Sequence, residues 1–408
     1  MSISAAFLPT TDKECGAIVK NTQRQSNVPW FYDRWLLVSV MALLTIGLLM
    51  VASASMVISD RQYGYPFHYL IRQLTYLVMG LLLGWLATNI PMRLWKKLSV
   101  YLLVISFLLL LVVMVPGIGR VVNGARRWIY FGFISLQVSE VVKLCGIIYL
   151  ASYLHRYQDE LNQQVKYFIR PMLLLAMLSI LLLLEPDFGA AAVLTITFLA
   201  LLFLAGLRLW PFCVLFLFVA VALAALAVLS PYRLERLTTF LNPWNSQFSS
   251  GYQLTQSLIA FGRGGLFGVG LGNSIQKLYY LPEAHTDFLF AVLAEELGLV
   301  GELIVIAFFV MLIARIFILA RRAQLSNDLF SAYVAYGLGL WIGLQSMINI
   351  GVNAGVLPTK GLTLPFISYG GSSMLINCVV VGIALRIAYE TSMVDVKMTV
   401  RTKLTQYR

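Results

Sequence analysis

The sequence predicts an all-α, polytopic membrane protein of about ten transmembrane helices, and three observations carry that prediction. Hydrophobic residues make up 60% of the 408 and charged residues only 12%, against about 25% charged in a soluble globule. Mean hydropathy is +0.82. The apolar residues fall in stretches long enough to cross a bilayer, which takes about 20 residues at a rise of ~1.5 Å each. The same figures exclude intrinsic disorder, which needs little hydrophobicity and much charge. Four cysteines in 408 residues exclude a secreted disulfide scaffold.

The predicted spans are 35–58, 70–90, 98–116, 134–154, 171–184, 188–207, 211–229, 297–318, 329–351 and 368–388. The run from Pro171 to Leu207 is apolar except at Glu185-Pro186-Asp187, so it is divided there into two helices. Residues 1–34 are polar, carry acids and lack a small-residue cleavage site, which predicts a cytoplasmic tail rather than a signal peptide. A transmembrane domain over 35–389 and a second cytoplasmic tail over 390–408 complete the division. An even number of spans puts both termini on one side. With that side cytoplasmic, 19 of the 30 Lys and Arg lie on it, as the positive-inside rule requires. The net charge of +12 reflects this bias and does not point to nucleic acid.

Three irregular stretches then share the opposite, extracytoplasmic face. The largest is a loop of about 230–296 between spans seven and eight, rich in Gly and aromatics and too apolar for disorder. The others are Gly117–Val138 and Asn353–Tyr369. A single functional face is the economical reading.

Ionisable groups at membrane depth are costly, so each is a functional candidate. The cations on this face are Arg126, Arg127, Lys143, Arg263, Lys277 and Lys360; the acids are Glu140, Glu185, Asp187, Glu283, Asp287, Glu295 and Glu296. Basic and acidic groups facing one cavity suit an anionic substrate that must also lose a proton. Glu140 and Lys143 are three apart, on one helix face, either as a structural ion pair or as part of a site. Arg126-Arg127-Trp128 offers guanidinium forks for phosphate oxygens, or interfacial anchors. Glu185 and Asp187 mark either a break below the membrane surface or a tight polar turn. Asp287 stands out among the acids, at the start of a helix after Pro282-Glu283-Ala284-His285-Thr286; His285 is a second base or a structural hydrogen-bonding group. The glycines of 268–272 lack the strand–helix–strand context of a dinucleotide turn. No Walker A or HExxH sequence occurs, and three His residues without ligand spacing give no metal site.

Asn349, Gly355 and the stretch Leu357–Ser373, "LPTKGLTLPFISYGGSS", with its Pro358, Gly361 and the run Phe366–Ser373, resemble the signature of the SEDS family (shape, elongation, division and sporulation). "NGARRWI", "QVSEVVK", "EPDFGA" and "LPEAHTDFLFAVLAEELG" resemble its other blocks in the same order, so the similarity covers about Asp33 to Tyr389. "GYQLTQSLIAFGRG" and the signature itself are nearer the family's cell-division branch than its elongation branch. The resemblance implies a ten-helix peptidoglycan glycosyltransferase of the bacterial cytoplasmic (inner) membrane, acting at the division septum. It would polymerise lipid II by inverting transfer, with undecaprenyl pyrophosphate as leaving group.

It also implies Asp287 as the catalytic residue, and Arg127, Glu140 and Lys143 as lining of the cavity. Arg126, Lys360 and Ser368 complete the set expected to contact substrate. The expected partners are lipid II, the growing strand, membrane lipids, a class B penicillin-binding transpeptidase and other division proteins. No cofactor is compelled; a divalent cation, Mg or Mn, bridging the pyrophosphate stays open. A lipid II flippase and a non-catalytic division scaffold are the rival functions. Two departures from the family pattern stand out: Val138 replaces a Pro before the Ser-Glu pair, and Glu185 and Ala190 replace a Gln and a Thr.

Overall fold

The computed structural model describes residues 33–206 apart from 123, 133, 159 and 161–164, then 221, and 240–406 apart from 250. The predicted span 211–229 lies outside the described residues except at Val221. Nine described helices fall on the other nine predicted spans: α1 (Arg34–Tyr63), α2 (His68–Asn89), α3 (Met92–Met114), α4 (Val138–Arg156), α5 (Val165–Leu184), α6 (Phe188–Leu204), α8 (Leu289–Leu325), α9 (Leu329–Asn353) and α10 (Gly371–Gln406). Among the described residues, seven helices are long and apolar enough to cross a membrane, and α6 is a shorter apolar helix. The last helix runs on past residue 389 to Gln406, so residues 390–406 continue it.

Local chemistry sets the helix ends. Asp33 accepts the Leu36 N–H at 3.1 Å and opens α1, and Gly64 closes it in the left-handed region (φ 67°). Small residues let helices meet at backbone distance. A Cβ on Gly84 of α2 would lie 2.6 Å from the Cys378 carbonyl of α10, and one on Gly382 would lie 2.2 Å from the Gly84 carbonyl.

Two features depart from the predicted irregular stretches. Between α3 and α4 the chain forms a small antiparallel meander, β1 (Gly119–Val122), β2 (Ala125–Phe131) and β3 (Ile134–Gln137), in the order β1-β2-β3. Within the long loop, α7 (Tyr252–Gly264) buries Leu254, Thr255, Ser257 and Ala260.

The helix α8 is two helices joined at a break, where Gly298 has φ 66° and ψ −168°. The first part, Leu289–Leu297, is buried along almost its whole length. The loop after α7 repairs the broken ladder. Leu299 and Val300 N–H groups donate to the Gly265 and Leu266 carbonyls, while Val269 and Gly270 donate to those of Glu295 and Glu296, all at 3.0–3.1 Å. Gly268 (φ 78°) makes this approach possible, since a Cβ there would sit 2.1 Å from the Glu296 carbonyl oxygen. Gly268→Ala is therefore expected to destabilise the fold by about 2–3 kcal/mol, measured as a lower unfolding temperature in detergent.

Candidate functional site

Asp287 sits one residue before Phe288, the N-cap of α8. Its backbone carbonyl accepts the side-chain amides of Asn349 and Asn353, each at 2.9 Å. Asn353 also accepts the Ala291 N–H at 3.1 Å, so one amide spans the first turn of α8. Asn349 donates as well to the Leu362 carbonyl at 2.5 Å, which ties the loop after α9 to the same point. That loop can lie against the Asp287 carboxylate because residue 361 is glycine: a Cβ there would be 2.9 Å from Oδ2. On either side of Gly361, Lys360 places Nζ 4.1 Å above the Phe188 ring, and Leu362 packs on Gly189. Three consecutive residues thus bridge Asp287 to the start of α6.

The same loop reaches Glu140 and Lys143. Gln345 donates to the Thr363 carbonyl at 3.0 Å, and its Oε1 accepts from Lys143 Nζ at 2.7 Å and Trp341 Nε1 at 2.8 Å. Lys143 completes an ion pair with Glu140 at 2.8 Å, and both side chains are buried. Glu140 Oε2 is buried with no hydrogen-bond partner among the described residues. Trp341, Gln345, Asn349 and Asn353 recur every four residues on α9 and form one polar stripe. Gln345 and Asn353 were not singled out from the sequence, although that spacing on an apolar helix was a readable signal.

The two arginines separate. The β1–β2 register shifts at this point, with Arg120 opposite Trp128 and Val121 opposite Arg126, and the Arg126 and Arg127 guanidinium groups go to different acceptors rather than forming one fork. Arg126 is exposed and donates to the Met114 carbonyl at 3.4 Å. Arg127 donates to the Glu185 carbonyl at 3.1 Å and to that of Pro186, gripping the break between α5 and α6. Asp187 caps α6 through the Ala190 N–H at 3.1 Å. Ser368 is buried and turned inward: its hydroxyl accepts the Leu364 N–H at 3.0 Å, and its carbonyl accepts from Gln73. Both bonds tie Ser368 into the fold of this loop.

Arg263 and Lys277 are also engaged elsewhere, as partners of Glu295 (2.6 Å) and Glu296 (2.8 Å). Ser53 of α1 donates to both Glu296 oxygens, and the backbone N–H groups of Ile275 and Gln276 donate to Glu295. This buried knot holds the long loop against α1 and α8. Burial pushes the His285 imidazole below its ordinary pKa, against an opposing pull from Glu283, so the ring is neutral at pH 7.

Glu185 is buried and neither carboxylate oxygen has a hydrogen-bond partner among the described residues. Burial first, and then the Asp187 charge, raise its pKa from 4.5 to about 8 against the opposing pull of Arg127. A raised carboxyl favours folding below its unfolded pKa, and that contribution is lost as pH rises to its folded value. Glu185→Gln is therefore expected to match the parent in stability below about pH 4.5 and to exceed it increasingly up to about pH 8. Thermal unfolding across that range checks it; a constant difference at every pH would refute it.

Among the described residues no group of three or more His, Cys, Asp or Glu could hold a metal ion. The arrangement instead offers a half-buried carboxylate fixed through its own backbone, a lysine on the adjoining loop, and buried ion pairs that brace both.

The comparisons agree with this architecture. The family model described as "Cell cycle protein" (FtsW/RodA/SpoVE) matches residues 34–393. A probable peptidoglycan glycosyltransferase FtsW of Coxiella burnetii is 68% identical over 369 residues, covering 90% of this chain and 99% of that protein. The protein of the same name from Legionella pneumophila is 56% identical, covering 88% and 91%. A solved chain from a peptidoglycan synthase complex that coordinates polymerization and crosslinking superposes with a TM-score of 0.74 at 31% identity, over 88% of this chain and 98% of that one. The rod shape determining protein RodA of Thermus thermophilus gives a TM-score of 0.64 at 30% identity, over 88% and 96%. With nearly its whole length matched by sequence and by fold, the chain belongs to the FtsW/RodA/SpoVE family, the SEDS family of the bacterial membrane.

Proposed function

We propose that the chain is a peptidoglycan glycosyltransferase of the division branch, which polymerises lipid II with Asp287 as general base. One observation carries the reading: an aspartate at the head of a buried helix, its carbonyl held by two asparagine amides and its carboxylate lying against Gly361, next to Lys360. Such positioning is what proton abstraction requires. The donor sugar is α-linked to pyrophosphate and the product bond is β-1,4, so a single displacement inverts the anomeric carbon without a covalent enzyme intermediate. The acceptor 4-oxygen bonds to C1 as its proton passes to Asp287. The C1–O bond to pyrophosphate breaks, and the electron pair leaves with the lipid pyrophosphate.

Lys360 is the cation we assign to that leaving charge, with Arg126 at the exposed rim. Arg127, Glu140, Lys143 and Ser368 act one step back, by fixing the α5–α6 break and the loop that flanks the carboxylate. Both termini are assigned to the cytoplasm on the Lys and Arg distribution. A class B penicillin-binding transpeptidase is the expected partner, which would cross-link the strands made here. The test is purified full-length protein with lipid II. Glycan strands should form; lipid II translocation without any polymer would favour a flippase instead.

A further inference from the structure

The end of the bundle that carries Asp287 also carries a run of aromatic rings that the reaction above does not use. Tyr63, at the end of α1, stacks on His68 of α2, with centroids 3.9 Å apart and planes 12° from parallel. Tyr69 lies edge-on to both, at 5.8 and 5.7 Å. It then meets His285 at 4.8 Å and Tyr369 at 5.1 Å, and those two rings are 5.7 Å apart. The Tyr369 N–H donates to the His285 carbonyl at 3.0 Å, so the run ends two residues from Asp287. Tyr63, at the other end, is 52% exposed.

Rings that merely anchor a helix bundle at the headgroups do not need to touch one another. Here four separate elements bring their rings into one continuous run that ends at His285, two residues before Asp287. Polar groups edge it: Gln62 accepts the Tyr69 hydroxyl at 2.8 Å, and the exposed Glu283 accepts that of Thr286 at 2.6 Å. The His285 Nδ1 is buried without a hydrogen-bond partner among the described residues.

A pyranose has an apolar face of C–H bonds, weakly electropositive, and hydroxyl and acetamide groups around its edge. The electron-rich face of an aromatic ring complements the first, and amide and carboxylate groups at the rim complement the second. The steps from His285 to Tyr69 (4.8 Å) and from Tyr69 to Tyr63 (5.8 Å) are each of the order of one sugar ring's length.

We infer that Tyr63, His68, Tyr69, His285 and Tyr369 form a saccharide subsite, which carries the hexosamine residues of the growing strand next to the sugar that reacts at Asp287. The subsite rests on the glycosyltransferase reading, and its test separates the two. Full-length protein bearing Asp287→Asn, which cannot turn over, is titrated with a soluble, lipid-free, uncross-linked glycan tetrasaccharide. Adding Tyr63→Ala and Tyr69→Ala is expected to weaken binding about tenfold. Phe at both positions keeps the ring faces and should stay within about twofold of the parent. Tyr63→Leu alone, at a half-exposed helix end, supplies the same direction of effect if the double variant does not fold.

With Asp287 intact, the Ala variants should make shorter strands from lipid II, and the Phe variants strands of parental length. Unchanged affinity together with unchanged strand length would overturn the subsite, as would the absence of tetrasaccharide binding to the parent. Normal polymerisation by Asp287→Asn would instead remove the base and leave the binding comparison standing.

Discussion

Asp287→Asn is expected to lower glycan synthesis from lipid II by about a thousandfold, within the range attributed to a positioned general base, with the unfolding temperature nearly unchanged. The substitution is isosteric. The contacts that Asn349 and Asn353 make run to the backbone carbonyl of residue 287, so they survive it. The turn against Gly361 keeps its shape as well. What is lost is the capacity to accept a proton, because an amide does not take one near neutral pH. Strand synthesis by gel or mass analysis, paired with a thermal melt in the same detergent, separates lost chemistry from lost fold. Synthesis at close to the parental rate would remove Asp287 from the mechanism.

Lys143→Met carries the largest expected effect on stability. The ammonium is buried, paired with Glu140 at 2.8 Å and bonded to Gln345 at 2.7 Å. Removing it leaves Glu140 buried with its remaining oxygen already lacking a partner. Stranding one member of a buried pair costs about 3–5 kcal/mol. Glu140→Gln together with Lys143→Met removes both charges and should recover most of that loss, because the desolvation of each ion disappears with its partner. Unfolding free energies of the parent, the single and the double variant test this. A single-variant cost below about 1 kcal/mol would mean that the pair behaves as a solvated surface bridge.

Much of the architecture was legible because a bilayer demands runs of about 20 apolar residues. The division at Glu185-Pro186-Asp187 was visible for the same reason, as three residues interrupting one long run. The meander was not. Arg126-Arg127-Trp128 reads as a cationic cluster in a line of text, yet in the fold its two guanidinium groups go to different carbonyls. Glu295 and Glu296 read from the sequence only as two acids of the extracytoplasmic face, just before a span. Their partners Arg263, Ser274 and Lys277 come from 19–32 residues away, and Ser53 from a helix 243 residues earlier. The stripe of Gln345, Asn349 and Asn353 had a readable period, but only the fold shows that it grips the Asp287 carbonyl and the neighbouring loop. Ser368 was read from its place in a signature; the fold adds that its hydroxyl accepts the Leu364 N–H within the loop.

The break at Gly298 makes the Leu289–Leu297 segment a short rigid rod of about 13 Å, with Asp287 just before one tip and the Glu295–Glu296 anchorage at the other. A rod fixed at both tips transmits rather than absorbs displacement. Ser53 of α1, through Glu296, therefore holds the far end of the segment whose head follows Asp287, so the footing of that aspartate includes a serine on a different helix.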